Sequence, residues 1–232
     1  MSDTISGTLP KRSVLVASNV GYTFSDRPLL SEVNLDIATG EVVAFTGPSG
    51  VGKSTLLYLL SGIIKPKVGS VFWNGYDPWL VREPKFTALR ARFCSYVFQF
   101  PVFLQECTVL ENALLPAKLT KKPMAKFRER ARDLLDEVGM ADMASRLPYT
   151  LSGGELQRLS VVRALLLEPA VVFADEPTGS LDETTSTIVF NLICRISKKC
   201  NASLVVVTHD LSLAKLADRH IILRNGRLNE VC

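Results

Sequence analysis

The stretch that most constrains this chain is Gly47-Pro48-Ser49-Gly50-Val51-Gly52-Lys53-Ser54-Thr55. It fits the pattern G-x-x-x-x-G-K-[ST], in which glycines let backbone N–H groups converge on phosphate oxygens. The pattern needs a strand before it and a helix after it. Val42-Val43-Ala44-Phe45 is a short apolar run of strand type, and Leu56, Leu57, Leu59 and Leu60 begin a helix that Gly62 ends. The N-terminus of that helix adds its partial positive charge to the loop. Lys53 is therefore expected to pair with β- and γ-phosphates, and the Ser54 hydroxyl to ligate Mg²⁺. An ordinary glycine turn ahead of a helix is the plainer alternative.

A chain of 232 residues, 47% hydrophobic and 22% charged, has room for one large α/β domain with a lobe inserted in it. No apolar run reaches the roughly 18 residues of a membrane span. Met1 to Pro10 is polar and lacks the apolar centre of a secretory signal. Work at a membrane would need a span supplied by another chain. The net charge of +4 is too weak and too scattered to argue for nucleic acid. Cys94, Cys107, Cys194, Cys200 and Cys232 show neither C-x-x-C spacing nor a histidine at ligand distance, so they read as reduced cytosolic thiols.

Residues 1–12 read as a loose leader. From Val14 the pattern is strand-like, with Val20, Tyr22 and Phe24 on one face, an interruption at Asp26-Arg27-Pro28, and a second alternation through Val33, Leu35 and Ile37. Residues 68–73, closed by Asn74-Gly75, add a strand to what reads as a small antiparallel layer. From about residue 76 to 165 the pattern implies a helical subdomain inserted in the core. Its clearest helix spans residues 126–138, with Phe127, Ala131, Leu134, Leu135 and Val138 on one face and Gly139 at its C-terminal end. A helix is expected over residues 156–167. Ala170-Val171-Val172-Phe173-Ala174 and Leu204-Val205-Val206-Val207 read as parallel strands buried on both faces. Between them Ile188, Val189, Leu192, Ile193 and Ile196 form a helical stripe, and residues 221–228 close the chain as a hairpin about Asn225-Gly226.

In an open parallel sheet, ligands bind beyond the carboxyl ends of the strands. Gln99 follows Ser95-Tyr96-Val97-Phe98, Asp175-Glu176 ends the strand at Ala174, and His209 follows Val207-Thr208. Asp175 is placed to hold the Mg²⁺ shell, Glu176 to polarise an attacking water, and Gln99 to ligate Mg²⁺ and water. His209 is either a γ-phosphate contact or a satisfied structural histidine. Leu151-Ser152-Gly153-Gly154-Glu155 has the Ser-x-x-Glu spacing of a capping box, with Ser152 as N-cap. A cap does not account for two glycines in a first helical turn, which cost helix stability and leave the backbone open to a phosphate.

The order of residues 47–55, Gln99, residues 151–155, Asp175-Glu176, Ser180-Leu181-Asp182 and His209 resembles the ATPase subunit of ABC transporters, over nearly the whole chain from Val14 to Leu228. The resemblance implies a P-loop NTPase core of mostly parallel sheet with an antiparallel β layer and the inserted helical subdomain. It implies ATP and Mg²⁺ as ligands, and a dimer of two copies in which Ser152, Gly153, Gly154 and Glu155 face the γ-phosphate bound by the other. Asp182 would connect the two sites. The adenine-stacking aromatic aligns with Phe24, and Tyr22 is the alternative. Val97-Phe98-Gln99, Leu110-Glu111-Asn112 and the stretch from Val207 to Lys215 are similar to the lipoprotein-releasing and macrolide-exporting branch. Leu104-Gln105 stands where that family has Leu-Pro. The partners implied are integral membrane subunits and not nucleic acid, and the place is peripheral, on the cytoplasmic face of the inner membrane. A cell-division ATPase of the same branch, signalling without transport, is the alternative function.

Overall fold

The computed structural model describes residues 13–25 and 27–231. The leader expected over residues 1–12, together with Asp26 and Cys232, lies outside them. Two sheets form the frame. β1 (Ser13–Phe24), β2 (Arg27–Ala38) and β4 (Val68–Trp73) make an antiparallel sheet in the order β2-β1-β4. Between β2 and β4 run β3 (Val42–Thr46) and α1 (Lys53–Leu60). The larger sheet takes the order β5-β6-β7-β3-β8-β9, with β5 Cys94–Phe98, β6 Val171–Asp175, β7 Ser203–Val207, β8 Arg219–Arg224 and β9 Arg227–Glu230. All its pairings are parallel except the closing hairpin of β8 and β9, which turns at Asn225-Gly226 as expected.

The central strands are apolar throughout because both their faces are buried. Val43, Phe45, Val171, Phe173, Val205 and Val207 point to the side of α1 and the antiparallel sheet. Their neighbours Val42, Ala44, Val172, Ala174, Leu204 and Val206 point to the opposite side. That second core is covered by α6 (Gly153–Leu165) and α7 (Glu183–Lys199), with α5 (Met124–Glu137) beyond them. Shorter helices complete the fold: α2 (Lys85–Phe93), α3 (Val109–Ala113), α4 (Leu115–Leu119) and α8 (Leu211–Ala214). Residues 76–165 thus hold α2 to α5, but also β5 and α6, which pack in the core itself.

The helix expected over 126–138 is α5, with Phe127, Ala131, Leu134 and Leu135 buried and Gly139 just past its end at φ 70°. α6 starts at Gly153, three residues before the apolar pattern at 156, with Ser152 as the N-cap that the Ser-x-x-Glu spacing implied. The stripe expected on α7 holds at Val189, Ile193 and Ile196, with Leu192 partly buried, and fails at Ile188. Ile188 is 58% exposed, and Phe190 is buried in its place at 1%. The buried face of α7 includes Ser186 and Ser197, hydroxyl residues that hide the stripe from a hydrophobic count. Cys94, Cys107, Cys194 and Cys200 are unpaired thiols. Burial pushes Cys94 and Cys194 up to about 12, so both stay protonated and unreactive.

Candidate functional site

Four neighbouring strands of the main sheet end at one level. Phe98 of β5 lies beside Asp175 of β6, Asp175 beside Val207 of β7, and Val207 beside Phe45 of β3. The segments carrying Gln99, Glu176, His209 and the glycine loop therefore leave the sheet side by side.

The glycine loop is seated against its neighbours on one side and open on the other. A Cβ at Gly47 would lie 2.3 Å from the Leu223 carbonyl oxygen, and one at Gly52 would lie 2.9 Å from Leu29 Cγ. Both glycines have φ in the region that side chains disfavour, 149° and 106°, so the loop closes only with glycine there. Gly50 by contrast faces open space. The Lys53 ammonium folds back and donates to the carbonyls of Gly47 and Pro48, at 2.9 and 3.0 Å. α1 has neither a side-chain cap nor an acidic residue in its first turn. Its first N–H groups and the Lys53 charge fit a phosphate at that end.

The open side of the loop borders a cavity of about 330 Å³ in which Lys53, Ser54 and Thr55 face Asp175 and Glu176. A second cavity of about 570 Å³ shares Ser54, Asp175 and Glu176 and brings in Gln99 and Arg163. No cluster of three or more His, Cys, Asp or Glu able to hold a metal occurs among the described residues. One carboxylate, one hydroxyl and one amide in a shared cavity fit a Mg²⁺ that keeps its waters and relies on phosphate oxygens, and not one held by protein alone.

Glu176 has φ 46°, and its N–H donates to Val207 at 2.9 Å. Its Oε2 accepts the His209 N–H at 3.2 Å and pairs with His209 Nδ1 at 2.8 Å. This leaves Oε1 for a water. His220 plays no part here, since its Nε2 pairs with Thr46 Oγ1 at 2.8 Å.

Ser152 and Glu155 form the expected capping box: Glu155 N–H donates to Ser152 Oγ at 3.4 Å, and Glu155 Oε2 accepts from Ser152 N–H at 2.7 Å. These donors hold the Glu155 carboxyl below its usual range. Ser152 and Gly153 are exposed, whereas Gly154 is buried, and a Cβ on it would lie 2.9 Å from Thr185 Cγ2. None of residues 152–155 lines either cavity. Asp182 caps α7 by accepting from Thr185 N–H at 2.9 Å, and it too stands outside the cavities. On β1 the two aromatic candidates differ. The Lys67 ammonium lies 5.4 Å from the centre of the Tyr22 ring, while Phe24 is 65% exposed.

Sequence reasoning missed Arg163 and Gln157. Arg163 lines the second cavity and donates to Val102 at 2.7 Å. The signal available for Gln157 was an amide one residue after Leu156 and two before Leu159, in register with the buried side of the helix.

Comparison with known proteins agrees with this geometry. The sequence model of the ABC transporter family matches residues 30–179. The lipoprotein-releasing system ATP-binding protein LolD of Bordetella pertussis is 40% identical over 218 residues, covering 92% of this chain and 94% of that protein. Its namesake from Aquifex aeolicus is 39% identical over 215 residues, 93% of this chain and 96% of that one. Among solved structures, cbiO1 from Clostridium perfringens, part of the ABC transporter complex cbiONQ, superposes with TM-score 0.86 at 27% identity over 94% of this chain and 88% of its own. A dimeric ATP-binding cassette in a post-hydrolysis state, bound to ADP and Pi, superposes with TM-score 0.80 at 31% identity over 94% and 97%. The family match covers more than half of the chain and relatives align along nearly all of it, so the chain belongs to the ABC transporter family, as an ATPase of that family.

Proposed function

We propose that this chain binds and hydrolyses Mg·ATP at the strand-end cavity and drives separate membrane subunits of the lipoprotein-releasing type. The observation that carries the reading is the level alignment of Phe98, Asp175, Val207 and Phe45, which brings the carboxylates and the glycine loop to one cavity. The branch rests on about 40% identity to lipoprotein-releasing ATP-binding proteins along nearly the whole chain.

In this reading the loop N–H groups and Lys53 neutralise the phosphate charge, and Ser54, Asp175 and Gln99 hold the Mg²⁺. The bound Mg²⁺ supplies charge neutralisation between phosphates. Glu176 takes the proton of the attacking water at Oε1, while His209 holds Oε2 and fixes the carboxylate plane. Phe24 is the base-stacking ring, since Tyr22 packs against the core and carries Lys67 on its ring. Residues 152–154 and Asp182 serve a second copy's site. The helices inserted between β4 and α6 form the lobe that meets the membrane subunits. No helix among the described residues is long and apolar enough to cross a membrane, in keeping with a peripheral subunit at the cytoplasmic face of the inner membrane.

The test is to recover the tagged chain from membranes with its bound subunits and identify them by mass spectrometry. A membrane subunit of a lipoprotein-releasing system, with ATPase activity that Glu176→Gln abolishes, is the expected result. Recovery of a cell-division membrane protein in its place overturns the lipoprotein assignment.

A further inference from the structure

We propose that Gln157 is a positioning residue that locks α6 to both loops of the nucleotide site. Its side chain is 1% exposed, on the second turn of α6. Nε2 donates to the Phe98 carbonyl at 2.8 Å and also to the Pro177 carbonyl. Phe98 is the residue before Gln99, and Pro177 is the residue after Glu176. Ser160 Oγ donates to the Gln157 backbone carbonyl at 2.7 Å and lies 3.4 Å from the amide oxygen, so the buried amide makes its short bonds through Nε2. Leu159, Val162 and Leu165 are fully buried on the same helix, and Ser160 is the other buried polar residue there. Packing alone would be met there by a leucine or methionine without the desolvation cost of an amide. What the amide adds is the connection.

That connection has a counterpart two turns further along. Arg163 donates to Val102 at 2.7 Å and lies 4.5 Å from the Phe103 ring centre, so residues 98–102 are tied to α6 at both ends. The two loops also meet each other. Ser180 Oγ donates to the Gln99 carbonyl at 3.5 Å, and a Cβ on Gly179 would lie 2.7 Å from Gln99 Nε2. α6 begins at the exposed Ser152-Gly153 tip, about one turn from Gln157. Seating that tip on a partner therefore moves the backbone flanking Gln99 and Glu176 together, and Gln157 is the one side chain of α6 that bonds both segments. This rests on the reading of Gln99 and Glu176 given above.

Gln157→Glu is isosteric and removes both donors, and Gln157→Met keeps the length with no polar group. Each is expected to lower kcat for ATP about 10- to 100-fold, the scale of a misplacement near 1 Å. KM should stay within about twofold, because the glycine loop is untouched. Leu159→Ala, a packing loss on the same helix, is the control: compared at equal fraction folded, it should keep kcat within about twofold of wild type. Hydrogen exchange on the wild-type chain gives a readout that needs no variant. Residues 98–102, 153–157 and 176–179 are expected to change protection together when ATP is added. Wild-type kcat in both Gln157 variants, a fall no larger than that of the Leu159 control, or exchange in α6 that ignores the other two segments overturns the proposal. Glu176→Gln separates the two levels. If it still turns over, the reading of the site fails; if it is dead while the Gln157 variants keep kcat, only the coupling fails.

Discussion

Two different strands set Glu176: its N–H is tied to Val207 of β7 while the residue itself follows Asp175 of β6. A non-glycine residue at φ 46° costs on the order of 1–3 kcal/mol, and its surroundings must hold it there. The His209 pair does so from the side-chain end. Glu176→Gln should therefore reduce turnover by roughly 10²–10⁴ while ATP still binds, since only the proton acceptor is lost. Steady-state ATPase assay beside calorimetry checks this, and turnover within about threefold of wild type would remove Glu176 from the role. Lys53→Ala has the opposite signature. It should weaken ATP binding itself, because among the described residues no other cation lines the glycine-loop cavity. Unchanged affinity would count against a phosphate at Lys53. The strand-end places of Gln99, Asp175, Glu176 and His209 were legible in the sequence, because each comes at or within two residues of the end of a mostly apolar strand-like run. The Glu176–His209 bond was not, because it depends on β7 lying beside β6, which no local pattern reports.

Among the elements, α7 offers a direct test of which face is inside. Phe190→Ala should cost about 3–5 kcal/mol of stability as a buried aromatic truncated in a packed core. Ile188→Ala should stay within about 0.5 kcal/mol, as an exposed position does. Denaturant melts of both variants check this, and equal losses would restore the stripe read from the sequence. Only Ile188 misled, because Ser186 lies on the buried face in its place, where its Oγ donates to the Thr178 carbonyl at 3.1 Å. The parallel strands were read correctly, since burial on both faces leaves no polar residue to confuse the pattern. The start of α6 was legible from the Ser-x-x-Glu spacing, which put the cap at Ser152 although the apolar pattern begins only at residue 156. The caps also set an acid limit. Ser152 donors hold Glu155 below its ordinary value of 4.5, and Ser212 donors hold Asp210 below 3.8. A carboxylate depressed by folding stabilises above its unfolded pKa, and that contribution disappears as pH falls through the folded one. Melting temperature should therefore hold from neutrality down to the ordinary carboxylate range and fall below it. Ser152→Ala should lower the melting temperature at neutral pH and shrink the acid decline.

At the scale of the whole molecule, the proposed function calls for two copies of the chain. The α6 tip lines neither cavity, so in the proposed function it must reach the cavity of a second copy. Gly154 is a poor place to test this, because a side chain there would press on Thr185 of the same subunit. Gly153 is exposed, and an aspartate in the first turn of a helix is favourable to the fold. Gly153→Asp should therefore leave folding and ATP binding intact, yet set a carboxylate against the partner's γ-phosphate and stop hydrolysis. A Gly153→Asp homodimer carries that lesion in both sites, and a Lys53→Ala homodimer lacks the ammonium in both. In a mixed dimer the two lesions fall in one composite site, formed by the Lys53→Ala cavity and the Gly153→Asp tip. The other site is wild type on both sides. Mixing the two inactive proteins should restore ATPase activity, with the yield following the fraction of mixed dimers. Activity that returns on mixing places the α6 tip in trans. Normal hydrolysis by Gly153→Asp alone would sink the arrangement, because a carboxylate on the phosphate cannot be silent.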